Sequence, residues 1–411
     1  MSQALLGLPV IILLAWLTSE DRRHFPLRLV ATGIIAQLLL CLLFLKLPLL
    51  QQALLLVNKL VLTVAAATAE GTAMVFGFLG GAEAPFAVTA PEHSFVLAFR
   101  ALPLVIVFAA LSALLWHWRV IPWLIAGLAK VLDKSMGLSG AISLGSASSI
   151  FVGMVESPLL IRPHLDKMSD SELFMLLTCG MATVAGTVLA LYAGILADTV
   201  PTALSHILVA SLISVPAALL LGAVMVPPAA SAAREPVILT SPYAGSMDAI
   251  VTGTGDGLRL LASIIGMLIV FVALVYLVDA LLGLVSTGGE PLTLIGVFGR
   301  ILSPLAWLLG IPWSEAHTAG ELLATKVFIN ELAAYLQLAS LDSAALSEQS
   351  RLILTYALCG FANFGSLGIM IGGLSAMCPQ RSATILRLAP RSIWSGLLAT
   401  CMTGCVVGLI G

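Results

Sequence analysis

Two acidic residues, Glu156 in Gly153-Met154-Val155-Glu156-Ser157-Pro158 and Glu331 in Asn330-Glu331, stand inside long apolar stretches that also carry helix breakers. A carboxylate at membrane depth is costly unless it is paired or faces a wet cavity, so such residues mark functional pathways. An ionised carboxylate is an acceptor with two oxygens, which suits it to hydroxyl groups of a neutral ligand. Where a helical hairpin turns inside a membrane, its tip leaves backbone N–H and C=O groups that need a ligand, an ion or water. Gly153 and Pro158 mark one such tip. Further along, Phe361 offers a ring face, and Asn363 and Ser366 offer donors and acceptors. A neutral polar ligand containing a ring fits that set.

The surroundings of the two glutamates resemble each other. After Glu156 comes a polar break, then Ser171-Glu172-Leu173-Phe174 running into Cys179-Gly180-Met181-Ala182-Thr183. After Glu331 comes Leu346-Ser347-Glu348, running into Cys359-Gly360-Phe361-Ala362-Asn363. Internal symmetry with Gly- and Pro-interrupted segments at matching positions is the sequence pointer to the binding site of a secondary transporter.

Composition names the solvent. Of 411 residues, 60% are hydrophobic and 10% charged, with a mean hydropathy of +1.09, too little polar surface to clothe a soluble globule. The expected fold class is therefore all-α and polytopic, with the lipid bilayer as the chain's first partner. A net charge of -2 and the absence of any basic tract with interleaved aromatics exclude nucleic acid as a ligand. The cysteines, at 41, 179, 359, 378, 401 and 405, lack metal-ligand spacing and read as helix-packing residues.

A crossing needs about 20 apolar residues, and eight segments read as expected spans, 4–18, 27–46, 96–118, 171–197, 203–226, 258–285, 350–377 and 389–410, the first being short unless Met1 to Ala4 contribute. The first has the length of a signal-peptide core but lacks a basic segment before it and a small-residue cleavage site after it, so it reads as a retained span. Regions 120–166 and 291–341 are apolar yet punctuated by Gly, Pro and Ser, which predicts two re-entrant hairpins buried in protein. The stretch 47–78, with Gln51, Gln52, Asn58, Lys59 and Glu70, reads as an interfacial helix. The chain thus divides into four units: 1–118, scaffold and interfacial helix; 119–227, first hairpin and following helices; 228–290, connection and scaffold helix; 291–411, second hairpin and following helices.

Lys and Arg are retained on the cytoplasmic side of short loops. Placing Arg22, Arg23 and Arg28 inside also puts inside Arg119, Lys130, Lys134, Arg162 and Lys167, then Arg234 and Arg259, then Arg381, Arg387 and Arg391, thirteen of the 19 basic residues. Both termini are then expected outside, and the hairpins enter from opposite faces, as an inverted repeat requires.

At these residues the chain resembles the concentrative nucleoside transporters. The likeness runs through Phe151-Val152-Gly153 to Pro163, Met168 to Tyr192, Ala210 to Pro216, Lys326 to Tyr335, and Ala357 to Gly373. It implies a homotrimer in a bacterial inner membrane that imports a nucleoside-like small molecule by alternating access, driven by H+ or Na+ as coupling ion, with no other cofactor. The substrate-contacting positions it implies are Gly153, Met154, Val155, Glu156, Val188, Glu331, Phe361, Asn363 and Ser366, and the coupling-ion positions are Ser149, Val152, Thr183 and Val184, a candidate Na+ site.

Two departures from the family pattern bear on specificity. Its first tip usually reads Gly-Gln-Thr/Ser-Glu, where the Gln and the hydroxyl residue contact the base; here those places are Met154 and Val155. A site that hydrogen-bonds its ligand differs from an apolar one far more than two apolar sites differ, so the sugar side is expected to persist beside a more apolar base side. Ser149 stands where sodium-using relatives place an Asn, which shortens the reach of an oxygen ligand and favours a proton carried by Glu156 or Glu331.

Other classes make different demands. An intramembrane enzyme could also use paired carboxylates for acid-base work, but the chain has no His-Glu-X-X-His, and its single Gly-X-Gly-Asp, Gly253-Thr254-Gly255-Asp256, lies far in sequence from both glutamates. A channel needs no substrate-sized polar cluster on mobile hairpins. A carrier for a non-nucleoside polar ring compound remains an alternative on the residues alone.

Overall fold

The computed structural model describes residues 2–89, 94–228, 239, 241–284 and 291–410. Arg234 of the expected inside loops lies outside the described residues. The described residues form helices and loops, with no strand among them.

The chain opens with α1 (Ser2–Leu17), α2 (Leu27–Lys46) and α3 (Pro48–Phe76), followed after a 3-10 turn by the short α4 (Leu97–Arg100) and by α5 (Leu104–His117). Next comes α6 (Val120–Met136), whose Ile121, Ile125, Ala129, Leu132 and Met136 recur at helical spacing and are buried while Lys130 and Lys134 are exposed, the stripe of a helix with one packed face. The chain then runs through α7 (Gly140–Ser149), the short α8 (Glu156–Leu160) and α9 (Arg162–Leu165), α10 (Asp170–Ala182), α11 (Gly186–Ile195) and α12 (Ala203–Met225). The long α13 (Ser246–Leu282) leads to α14 (Leu294–Leu308), α15 (Trp313–Phe328), α16 (Glu331–Ser340), α17 (Glu348–Leu358), α18 (Phe364–Met377) and α19 (Ser382–Ile410).

Both halves contain a helix, a second helix followed by a glutamate, a short returning segment, a helix interrupted by an extended break and a long closing helix, but the short segment is two helices, α8 and α9, in the first and the single α16 in the second. Polar caps set these boundaries. Ser169 and Glu172 form a reciprocal capping box at the start of α10, while Asn330, Ser347 and Asn363 accept backbone N–H bonds at the starts of α16, α17 and α18, each satisfying donors that a helix start leaves open.

α10, α12 and α19 are buried along most of their length and pack on one another, with α2 and α17 added at the sides. α13 packs chiefly on α5. Gly253 and Gly257 allow that approach, since a Cβ on Gly257 would lie 2.7 Å from the Ile106 Cα. The most apolar stretch of α13 is otherwise unburied, as expected of a surface facing lipid or another subunit.

Among the described residues, seven helical segments are long and apolar enough to cross a bilayer. α1, at 16 residues, falls short of the full-length span expected at 4–18. The expected span at 350–377 is two helices, because residues 359–363 leave helical geometry between α17 and α18. α3 is one 29-residue helix with the length and apolarity of a crossing, whereas its scattered polar residues suggested an interfacial one. α14 and α15 meet at a 120° bend, with Gly310 and Pro312 at the corner, so the region expected as a single second hairpin is a bent pair followed by the tip and α16.

Three loops that the charge pattern groups on one side meet in an ionic cluster. Arg381 pairs with Asp170 at 2.6 Å and Arg387 with Glu20 at 2.7 Å, while Arg387 also reaches Asp170 and Arg391 reaches Glu20. The six cysteines are free and buried.

Candidate functional site

The first tip depends on glycine. Gly153 has φ 102, a conformation that side chains disfavour, and a Cβ there would stand 2.8 Å from the Glu156 Oε2 and 3.2 Å from the Ala185 Cβ. Ser157 N donates to Gly153 O at 3.1 Å, closing the turn that starts α8 with Glu156. The Glu156 side chain is exposed. From the opposite side, Gly186 N donates to Phe151 O at 3.1 Å, so the first turn of α11 is seated on the tip.

Met154 and Val155 are turned into packing. Met154 is 9% exposed, and its Cβ lies 3.0 Å from where a Gly180 Cβ would be. The Val155 Cγ1 lies 2.7 Å from the corresponding point on Gly373, so the tip rests on α18 of the other half. Both contacts exist only because the facing residue has no side chain.

The positions expected to hold a coupling ion come together below the tip. Thr183 Oγ1 donates to Cys179 O at 2.8 Å and lies 3.3 Å from Ser149 O. Val184 N donates to the Ser211 Oγ at 3.4 Å, which brings in a residue of α12 outside the set expected from sequence. The Ser149 hydroxyl is turned back onto its own helix, donating to Ser146 O at 2.8 Å. Val152 is half-buried, and its N–H donates to Ser148 O at 3.0 Å.

The second tip is built from two asparagine caps. Asn330 Oδ1 accepts Ala333 N at 2.9 Å, which sets Glu331 as the first residue of α16, and Asn363 Oδ1 accepts Ser366 N at 2.7 Å at the start of α18. With its oxygen committed, Asn363 turns its Nδ2 to Glu331 and donates to Oε2 at 2.9 Å. Tyr192 OH donates to the other oxygen, Oε1, at 2.5 Å, and its ring lies 5.1 Å from that of Tyr335. Glu331 and Asn363 are thus buried and mutually hydrogen-bonded, with Ser366 attached through its backbone and Phe361 half-buried in the break.

Among the described residues no ion pair holds either glutamate. Arg162 Nε donates to Met377 O at 3.4 Å, and Lys326 Nζ donates to Ala357 O and the Thr400 Oγ1. Nor does a hydrogen bond join Glu156 to Glu331: the first is exposed and the second is covered by Tyr192 and Asn363. α11 links them. Its first residue, Gly186, touches the first tip and Tyr192 touches Glu331, a separation of roughly 9 Å along the axis at the helical rise per residue. Val188 lies between them on that helix and is buried. Tyr192 was missed in the sequence because a tyrosine in an apolar run reads as an ordinary packing aromatic.

Two carboxylates, one exposed and one buried, each start a short helix and stand near a break in a neighbouring helix of a mostly apolar all-α chain. The sequence family described as Na+ dependent nucleoside transporter C-terminus matches residues 206–408, its N-terminal counterpart matches 6–79, and the family described as nucleoside recognition, or Gate, matches 98–199. The nucleoside permease NupC of Helicobacter pylori is 35% identical over 413 residues, covering 99% of this chain and 97% of that protein. The sodium/nucleoside cotransporter 2 of Mus musculus is 31% identical over 366 residues, covering 84% of this chain and 52% of that protein. Among solved structures, CNTnw in an inward-facing substrate-bound state superposes with a TM-score of 0.88 at 34% identity, covering 100% of this chain and 99% of that one. A substituted CNTnw in an outward-facing state superposes with a TM-score of 0.91 at 35% identity, covering 99% and 97%. The chain belongs to the concentrative nucleoside transporter family. Relatives of this kind are named as transporters and permeases, not as enzymes.

Proposed function

We propose that the protein imports nucleosides across the bacterial inner membrane by ion-coupled symport. The observation that carries this reading is Glu331, buried and held from both sides by Tyr192 and Asn363 at the end of a broken helix. Such an acceptor, fixed before the ligand arrives, presents its remaining lone pairs to a sugar's hydroxyls. Ser366 and Glu156 complete the ribose side. Phe361 and Val188 serve the base, and Gly153 shapes the first tip, whose Met154 and Val155 anchor it to Gly180 and Gly373.

The two halves act as an inverted repeat whose hairpins re-enter from opposite faces, and the protein works as a homotrimer with both termini outside. Alternating access carries the hairpins with α11 and α18 past a scaffold that includes α2, α3, α5 and α13. The relatives of CNTnw type solved in inward- and outward-facing states support that motion. A sodium ion would bind at Ser149, Val152, Thr183 and Val184, whereas a proton would bind at Glu156 or Glu331; with either ion, coupling is a difference in affinity between states.

The proton is the coupling ion in this reading, because the Ser149 hydroxyl is spent on Ser146 O. A sodium reading draws on Thr183 with its paired carbonyls and on the mammalian relatives named sodium/nucleoside cotransporters. Uptake of labelled uridine into proteoliposomes decides between them. Accumulation under an inward proton gradient in sodium-free buffer is expected; full activity under a sodium gradient at uniform pH, and none without sodium, overturns the proton reading.

A further inference from the structure

Lys326 is fully buried, and among the described residues it has no carboxylate partner within ion-pair distance. Its Nζ donates to Ala357 O at 2.8 Å and to the Thr400 Oγ1 at 2.7 Å. A buried ammonium held by neutral groups alone is expensive to keep, so its place in the fold calls for a reason. That place is the end of α15, beside the second tip, facing the end of α17.

Ala357 is the residue before the last in α17. In an unbroken helix its carbonyl would accept the N–H of residue 361, four positions on. The chain instead turns away: Cys359 N bonds back to Tyr356 O at 3.2 Å, and Asn363 N closes on Phe361 O at 2.8 Å. The break that frees Phe361 and Asn363 therefore leaves the Ala357 carbonyl without a helical partner, and the Lys326 ammonium supplies the donor. A cation is also the favourable charge at the carbonyl end of a helix. Thr400 fixes the other side, since its Cγ2 stands 2.8 Å from where a Gly360 Cβ would be. In the first half, the break after α10 is closed by hydroxyls of Thr183 and Ser211, at the corresponding place in the order of elements. There an ion is proposed to bind from solution; here the cation is part of the chain.

We propose that Lys326 is a positioning residue for substrate: its ammonium caps the carbonyl end of α17 and ties it to α19, so that the break keeps Asn363 on Glu331. The proposal rests on the nucleoside-import reading above, and it assigns to Lys326 a share of affinity although it does not touch the ligand.

The test uses the full-length protein in detergent and in proteoliposomes, with uridine as probe, measuring Tm with and without uridine and the KM and maximal rate of uptake. Lys326→Met is expected to fold with a somewhat lower unliganded Tm, because the Ala357 carbonyl loses its donor while a buried charge is removed. Its KM rises about tenfold and the uridine-induced rise in Tm disappears, with a smaller change in maximal rate. Lys326→Arg behaves likewise, because a planar fork does not fit between one carbonyl and one hydroxyl. Thr400→Val, which removes one of the two bonds, raises KM about threefold, and Thr400→Ser restores it. Wild-type KM in Lys326→Met, or a lowered Tm with KM unchanged, overturns the proposal. Should Lys326→Met fail to fold, equal KM values for Thr400→Val and Thr400→Ser overturn it. Failure of the wild type to take up uridine sinks the import reading itself, a result distinct from a wild type that works and variants that match it.

Discussion

Glu331→Gln removes a charge while leaving shape nearly unchanged, and the surrounding bonds determine its cost. The native carboxylate accepts Tyr192 OH at 2.5 Å and Asn363 Nδ2 at 2.9 Å, one on each oxygen. A glutamine brings one oxygen and one NH2 group. Asn363 cannot turn to offer its own oxygen, because that atom caps α18 by accepting Ser366 N at 2.7 Å. The new amide oxygen must therefore face Asn363, and the NH2 group must face Tyr192, which changes from donor to acceptor and has to place its proton elsewhere. One charge-assisted bond is lost and the other becomes neutral. Those changes act on the free protein as well as the bound one; substrate affinity falls because the ligand's hydroxyl loses a charge-assisted bond to the carboxylate, and since such a bond contributes about 1.5–3 kcal/mol, the loss should be about 10- to 150-fold. Titration calorimetry with uridine, alongside uptake KM and Tm, measures this. A Glu331→Gln protein that binds uridine within about twofold of wild type refutes the reasoning, and a large loss of Tm would show that Glu331 acts on the fold instead.

Gly373→Val should uncouple the first tip from α18, because even a Cβ at 373 would lie 2.7 Å from the Val155 Cγ1; overpacking of this kind costs about 1–3 kcal/mol, and uridine KM should rise while Gly372→Ala, where a Cβ meets open space, stays close to wild type. Arg387→Ala breaks exposed pairs to Glu20 and Asp170, and since such pairs contribute about 1 kcal/mol or less, its Tm should move by only a few degrees and less at high salt.

Much of the site was legible because breaks in membrane helices have local causes. Gly153, Asn330 and Asn363 sit where a positive φ or a helix cap is needed, and the glutamates beside them announce their cost in an apolar setting. The parts that were not legible depend on residues far away in the chain. Whether Met154 and Val155 face a ligand or the core is decided by Gly180 and Gly373, which clear room for them. Tyr192 gains its role only when α11 is laid between the two tips, and the partner of Lys326 is a backbone carbonyl that a break in another helix exposes. At 350–377 apolarity persists across residues 359–363 although the backbone is not helical there, because hydropathy does not register hydrogen bonds.

Counterflow measures directly whether these tips and broken helices carry a nucleoside from one side of the membrane to the other. Proteoliposomes loaded with unlabelled uridine and diluted into a trace of labelled uridine, with no ion gradient, should show a transient internal accumulation above the outside level, abolished in Glu331→Ala. Label that only equilibrates, with no overshoot and no dependence on the internal load, would contradict carriage by this site.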